Sequence, residues 1–244
     1  QVIEYLRAFL YGRMGWTQLN AVLIISGAFG VFDKEVVIQA GGYRSDAIGE
    51  DMELIVRIHK LMKAAGRRYR ITFVPDPICW TDAPEDLQSL RKQRIRWHHG
   101  LAQCLALHRS LFFDRRGGAV GWLAMPFYLV FELLGPVVEL CGYVVMTIAA
   151  IAGWIPWETT AAFFCLAVGL GLLLSTSALV LEEMSFHVYP RLSDLFLLFL
   201  ASVVENVGYR QLTVVWRLRG LANWMRGRTP VWGVMKRSSS LSQP

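Results

Sequence analysis

The chain has 244 residues, of which 54% are hydrophobic, and it carries a formal net charge of +6. Its mean hydropathy of +0.37 is high for a wholly soluble protein. Residues 1–118 contain 17 of the 25 Lys and Arg residues, whereas residues 119–190 contain none, which indicates contact with lipid. The positive charge does not indicate a nucleic-acid-binding protein, because no platform of interleaved aromatic and basic residues is present.

Three helices are predicted in the first half of the chain. Residues 2–12 show helical spacing of apolar side chains. A second apolar stripe starts at Asp51 and stops at Gly66. A third helix is predicted to start at Pro84, with acidic residues in its first turn, and to continue to Leu107.

Two segments of the same half have the composition of β-strands. Residues 22–32 (VLIISGAFGVF) are apolar and interrupted by Gly27 and Gly30, which predicts a strand, a tight turn and a second strand. Residues 70–75 predict another short strand. The predicted fold class of residues 1–118 is therefore α/β, with too few strands for a complete nucleotide-binding fold.

The second half is predicted to be a membrane region. As one straight helix, residues 119–152 would measure about 51 Å, against a hydrocarbon core of about 30 Å. They are therefore predicted to form an interfacial helix plus a span, or two short spans. Residues 160–181 predict a single span, and residues 194–209 are apolar but short. The basic, interfacial residues 210–244 predict a cytoplasmic C-terminus and an even number of crossings, with two favoured and four left open.

The four cysteines give no indication of a metal site or a disulfide, because they are widely spaced and form no Cys-x-x-Cys pair. His59, His98 and His99 have no metal-ligand spacing, and they are predicted to be surface or helix residues.

Glu50 and Asp51 stand at the predicted start of the second helix. Acidic residues are common at helix N-termini, where they cap free N–H groups and interact favourably with the helix dipole. A carboxylate held at such a position also stays ionised and can accept a proton as a general base. Both interpretations are open for this pair on the residues alone.

A second candidate motif is Gln93-Arg94-Ile95-Arg96-Trp97. A basic helical segment is usually a solvated face. However, an amide, two guanidinium groups and an indole within five residues also suit a sugar diphosphate. Guanidinium groups pair with phosphate oxygens, and an indole can stack on a pyranose ring.

The order of four features along the chain resembles that in processive family 2 glycosyltransferases: Glu50-Asp51, a Pro-containing bend, Gln-Arg-Ile-Arg-Trp and apolar helices. These include cellulose, hyaluronan, chitin and poly-N-acetylglucosamine synthases. The five-residue motif fits the family pattern Q(Q/R)xRW in full. The segments SGAFGVFDKEVVIQAGGY and WTDAPEDLQSL are also similar to the family, and the resemblance covers residues 1–120.

The resemblance implies a partial GT-A-type lobe followed by helical membrane segments. It implies that Asp51 is the catalytic base, with Glu50 beside it. Gln93, Arg94 and Arg96 would hold the diphosphate of a nucleotide-sugar donor, expected to be a UDP-sugar. Trp97 would bind the acceptor glycan or glycolipid.

One departure concerns the metal. No Asp-x-Asp motif occurs in the chain, although the family uses one to bind a divalent cation and the nucleotide. The expectation is that this motif precedes Gln1, so that the full-length enzyme needs Mg²⁺ or Mn²⁺ held by ligands outside this chain. The chain alone is then expected to be inactive.

Further features are weaker. Trp232 opens a segment that resembles a nucleotide-closing loop of some synthases, although a basic aromatic interfacial tail has the same composition. Glu132, Glu139 and Glu205 lie in apolar segments, where they would line a polymer path; the alternative is that Glu139 and Glu158 lie near an interface.

The resemblance therefore predicts a multi-pass protein of the plasma or inner membrane with a cytoplasmic catalytic lobe. Its expected function is to extend a β-linked polysaccharide with inversion at the anomeric carbon, coupled to export. Two alternatives are a non-processive transferase that adds one sugar to a lipid acceptor and a non-enzymatic membrane scaffold.

Overall fold

A computed structural model of the chain describes residues 1–228 apart from residues 77, 78 and 80. The first helical stretch, α1, consists of α-helical turns at Val2–Tyr5, π-helical turns at Leu6–Tyr11 and α-helical turns at Gly12–Gln18. It is longer than predicted, and it ends at Gln18; Asn20, two residues beyond, has a φ of 48°, in the left-handed region that Asn tolerates.

The strands predicted at 22–32 and 70–75 are not formed, and the residues that the structure describes contain no β-strand. Both segments lack regular secondary structure, with a turn at residues 27–28 of the first, and other groups satisfy part of their backbone. Asn20 donates to the carbonyl of Tyr69 (2.9 Å) and accepts from the amide of Ile71 (2.8 Å). The Asn20 side chain therefore forms hydrogen bonds that a neighbouring strand would otherwise form. These bonds hold the segment around residues 70–75 in place without a β-sheet.

Three more helices complete the first half: α2 at Lys34–Gln39, α3 at Glu50–Ala64 and α4 at Leu87–Leu107. The prediction for α3 is confirmed, with Gly66 (φ 62°) just beyond its end. The predicted start of α4 at Pro84 was wrong by three residues. The carboxylate of Asp86 accepts from the amide of Ser89 (2.8 Å), and this cap sets the start of the helix.

Helix α4 packs against the start of α3 through two glycines. A Cβ atom placed on Gly100 would lie 3.0 Å from the amide nitrogen and 3.3 Å from the Cα of Gly49. One turn further, Gln103 accepts from the amide of Ile48 (2.9 Å) and donates to the carbonyl of Asp46 (2.9 Å). The loop that leads into α3 is therefore fastened directly to α4.

The second half is helical throughout most of its described length. Helix α5 comprises the turns Val120–Ala124, Met125–Phe127 and Tyr128–Leu133, and α6 spans Gly135–Ile151. Helix α7 spans Trp157–Ser185, α8 spans Leu192–Val204, and α9 spans Arg210–Met225 after π-helical turns at Glu205–Tyr209.

Three stretches are long and apolar enough to cross a membrane: Val120–Ile151, Trp157–Ser185 and Leu192–Met225. The third stretch is broken at Val207 and Gly208, whose backbone angles are not helical. Its first part, α8, has 13 residues and a length of about 20 Å, less than the hydrocarbon thickness of about 30 Å. Its second part, α9, packs on α4, since a Cβ on Gly220 would touch the carbonyl of Ile95. The number of crossings stays a prediction.

Each of the three acidic residues singled out in the apolar region has an arginine partner on another element. The ion pairs are Glu132–Arg217 (3.1 Å), Glu139–Arg210 (2.7 Å) and Glu205–Arg7 (2.7 Å). Charge pairing lowers the cost of placing a carboxylate beside lipid. Glu132 and Glu139 therefore join α5 and α6 to α9, whereas Glu205 joins the second half to α1.

The histidines predicted at the surface or along helices prove to be buried: the exposed fractions of His59, His98 and His99 are 0%, 3% and 4%. Burial lowers the pKa of His98 to about 3, so its ring is neutral. Its Nε2 lies 3.2 Å from the carbonyl of Leu133, and its Nδ1 accepts from Arg217 of α9 (3.4 Å). His98 thus connects α4 to the apolar helices.

We expect Gly100→Ala to destabilise the protein, because the new methyl group meets the backbone of Gly49 rather than a flexible side chain. Overpacking of this kind costs about 1–3 kcal/mol, which exceeds the gain of about 1 kcal/mol from the better helix former. Thermal unfolding should show a lower Tm. Gly15→Ala in α1 is the matched control, since no atom lies within 4 Å of the place that its Cβ would take, and its Tm should not fall.

Candidate active site

A cavity of about 290 Å³ lies at the N-terminus of α3. Its lining consists of the two acidic residues of the first motif, a stretch of the 22–32 segment, and one tyrosine: Glu50, Asp51, Ile25, Ser26, Gly27, Gly30, Phe32 and Tyr43. Gly27 is required here by space, since a Cβ atom would lie 3.1 Å from Oδ2 of Asp51. The segment predicted as a strand and turn therefore forms one wall of the cavity.

Asp51 is half-buried, and its Oδ1 accepts from the amide of Met52 (2.8 Å). Burial raises the pKa of the Asp51 carboxyl, and the neighbouring charge of Glu50 raises it further. The amide hydrogen bond and the charge of Arg13 act in the opposite direction. A carboxylate with these properties is a stronger base than an exposed aspartate.

Arg96 of the second motif lies close enough to Glu50 and Asp51 for their charges to stabilise its own. Its pKa is lowered by burial, and the two carboxylates oppose that shift. Helix α4 thus brings one guanidinium of the motif to the acidic pair at the start of α3.

Arg94, the other guanidinium of the motif, is directed elsewhere. It forms a two-point ion pair with Glu4 of α1, with N–O distances of 2.7 and 2.8 Å. Its Cζ lies 4.7 Å from the ring centroid of Trp97, and the Trp97 side chain is 40% exposed. Arg94 itself is 6% exposed. Whether it binds diphosphate stays untested, but its observed partners are a carboxylate and an indole.

Gln93 is half-buried one turn before Arg96 and Trp97, on the same side of α4. Its Oε1 is buried and has no hydrogen-bond partner among the described residues. An acceptor in this position suits a hydroxyl or N–H group of a ligand.

A buried ion-pair network supports the wall that carries Tyr43. Glu53 is fully buried and accepts from Arg57 (2.7 Å), while His108 lies 3.0 Å from its other oxygen. Arg57 in turn donates to the carbonyls of Ala40 and Gly42, at 2.5 and 2.6 Å. Sequence reasoning missed this support because its members are separated along the chain.

Arg13 is a second residue that the motifs did not predict. It is 4% exposed, and burial lowers its pKa to about 10, against the opposing charges of Tyr128 and Asp51. A signal for it exists in the sequence: Ile3, Leu10, Arg13 and Thr17 follow helical spacing on the buried side of α1. A basic residue within an apolar stripe indicates a buried partner.

Trp232, predicted to bind nucleotide, lies outside the described residues. Within the part of the chain that the structure describes, no group of three or more His, Cys, Asp or Glu side chains could hold a metal ion. The described residues therefore do not fit a complete metal site, and the expectation that the ligands lie outside this chain stays a prediction.

The chain is similar to curated poly-β-1,6-N-acetyl-D-glucosamine synthases. It is 37% identical over 100 residues to that of Staphylococcus aureus (strain COL) and 31% identical over 100 residues to that of Staphylococcus epidermidis (strain RP62A). Each match covers 41% of this chain and 23% of the relative, so the chain spans less than a quarter of their length. No solved structure matches the chain.

The family described as Glycosyl transferase family group 2 matches residues 2–175, which include α1, α3, α4 and the cavity between them. This match covers more than half of the chain, and both candidate motifs lie within it. The chain therefore belongs to the family 2 glycosyltransferases.

Proposed function

We propose that the protein transfers a sugar from a nucleotide-sugar donor to a growing β-linked polysaccharide at a membrane. The observation that carries the proposal is that Glu50 and Asp51 line one cavity and that Arg96 lies close enough to both carboxylates for their charges to stabilise its own. A base is needed beside a cation in this reaction, because a hydroxyl loses a proton while a diphosphate leaves with negative charge. The curated relatives name N-acetylglucosamine, so UDP-N-acetylglucosamine is the first donor to test.

In the proposed reaction, Asp51 takes the proton of the acceptor hydroxyl. The hydroxyl oxygen then forms a bond to the anomeric carbon, while the bond from that carbon to the donor phosphate oxygen breaks. The electron pair of the broken bond leaves with the nucleoside diphosphate. An in-line displacement inverts the anomeric configuration, so an α-linked donor gives a β-linked product.

Charge and hydrogen bonding would stabilise the departing diphosphate. Arg96 supplies a guanidinium group, which pairs with phosphate oxygens at two points. Gln93 lies on the same side of α4, and its amide NH2 group would donate to a phosphate oxygen. Glu50 raises the basicity of Asp51 by like-charge repulsion.

Trp97 is proposed to bind the acceptor sugar, because an exposed indole offers an apolar face to a pyranose ring. Mg²⁺ or Mn²⁺, held by ligands outside this chain, would neutralise diphosphate charge when bound. The three apolar stretches support a multi-pass membrane location. The catalytic lobe is proposed to lie at the cytoplasmic side, from which the polymer would be exported. Transfer of a single sugar to a lipid acceptor is the second candidate, since the same site chemistry serves both.

We expect Asp51→Asn in the full-length protein to lower the rate of transfer about 10²–10⁴-fold, because the amide cannot accept the proton. Transfer would be followed with radiolabelled UDP-N-acetylglucosamine, and UDP affinity should be little changed. Asp46→Asn is the matched control: this carboxylate is exposed and pairs with Arg44, so activity should stay within twofold. A fully active Asp51→Asn protein would contradict the assignment and leave the scaffold alternative.

The acidic side of the pH–rate profile should reflect the raised pKa of Asp51. A general base works only when ionised, so activity falls as pH falls through its pKa. Because burial and Glu50 raise that pKa, the midpoint should lie above the ordinary aspartate value of 3.8. Glu50→Gln removes the second cause and should move the midpoint to lower pH in a kcat profile. A shift to higher pH would contradict this electrostatic coupling.

Arg96→Gln should weaken UDP binding at least tenfold in calorimetry, because it removes the cation that interacts with the two carboxylates of the cavity. Lys92→Gln, an exposed position on the same helix, is the control and should bind UDP normally. Product length by gel electrophoresis would separate polymer extension from single-sugar addition.

A further inference from the structure

The two arginines of the Gln-Arg-Ile-Arg-Trp motif face different parts of the molecule. Positions two apart on an α-helix differ by about 200° around its axis. Arg96 accordingly lies near the acidic pair of α3, whereas Arg94 lies against α1. The two arginines are therefore in different electrostatic surroundings.

None of the three nitrogens of the Arg94 guanidinium is available to bind a ligand. Nη1 and Nη2 bind the two carboxylate oxygens of Glu4, and Nε is buried without a hydrogen-bond partner among the described residues. The charge of Glu4 neutralises that of Arg94. A guanidinium engaged in this way has neither the free N–H fork nor the net charge that binding a diphosphate requires.

What Arg94 does contact is the indole of Trp97. Its Cζ lies 4.7 Å from the ring centroid, within the range of a cation–π interaction. The guanidinium is fixed by Glu4, and Glu4 is held from a second side by the hydroxyl of Tyr209 (3.2 Å). Trp97 itself remains 40% exposed. A rigid cation therefore restrains an aromatic side chain that is still accessible to a ligand.

We infer that Glu4 and Arg94 are positioning residues for the acceptor: the Glu4–Arg94 ion pair fixes the orientation of the Trp97 indole on which the acceptor sugar binds. This inference rests on the proposed function. The two arginines of the motif then have different roles. Arg96 interacts with the donor diphosphate, and Arg94 affects acceptor binding by orienting Trp97. Glu4 lies 89 or more positions from the motif, so no local pattern indicates it.

The test separates acceptor binding from donor binding in the full-length protein. UDP-N-acetylglucosamine and a β-1,6-linked N-acetylglucosamine oligosaccharide serve as probes. Glu4→Gln and Arg94→Gln should each raise the KM for the oligosaccharide about tenfold, equivalent to about 1.4 kcal/mol, and leave the Kd for UDP within twofold. Arg96→Gln should show the reverse pattern. If Arg94→Gln does not fold, Arg94→Lys keeps the charge and loses the two-point pairing, so the same split is expected.

A double-mutant cycle tests whether the effect passes through the indole. Once Trp97→Ala has removed the ring, Arg94→Gln should raise the acceptor KM no further. Additive effects, or a loss of UDP affinity in Arg94→Gln as large as in Arg96→Gln, would overturn the inference.

Arg7→Gln is the matched control, since Arg7 lies one turn along α1 and forms an ion pair of the same length, 2.7 Å, with Glu205. It should lower the Tm without changing the acceptor KM. An equal rise in KM would mean that loosening of α1 explains the effect, and the inference would fall. Failure of the wild-type protein to transfer any sugar would instead count against the proposed function.

Discussion

The close approach of Gly49 and Gly100 is the constraint on which the candidate site depends. It lets the backbone before α3 lie against the middle of α4, with a hypothetical Cβ only 3.0 Å from a backbone nitrogen. Glu50 and Asp51 follow the first glycine directly, and Arg96 lies one turn before the second. Arg96 is thus brought close to an acidic pair more than 40 positions earlier in the sequence, because both contact residues lack a side chain.

Buried charged side chains around the site form ion pairs with one another. Glu53 is fully buried and is satisfied by Arg57 and His108, which fixes the wall that bears Tyr43. Arg94 is satisfied by Glu4. Desolvation makes a lone buried charge costly, so each pairing also determines where its members can be. Asp51, by contrast, keeps a raised pKa and faces the cavity, as a base must.

The lobe and the apolar helices form one structure through α4 and α9. Gly220 allows α9 to contact the backbone of α4 beside Ile95, and Arg217 connects His98 to Glu132 of α5. Acidic residues in apolar segments suggested either a polymer path or an interface. Their arginine partners give them a role in joining helices, which ties the position of the Gln-Arg-Ile-Arg-Trp helix to the membrane region.

The sequence by itself determined the helices, the apolar character of the second half and the identity of the acidic and Gln-Arg-Ile-Arg-Trp motifs, because helical periodicity and short motifs are local properties. Only the tertiary structure decided that residues 22–32 form a cavity wall instead of strands, since a strand exists only with a partner. It also decided that Arg94 pairs with Glu4 while Arg96 approaches Asp51. That choice depends on which helix packs on each side of α4, and no local pattern encodes it.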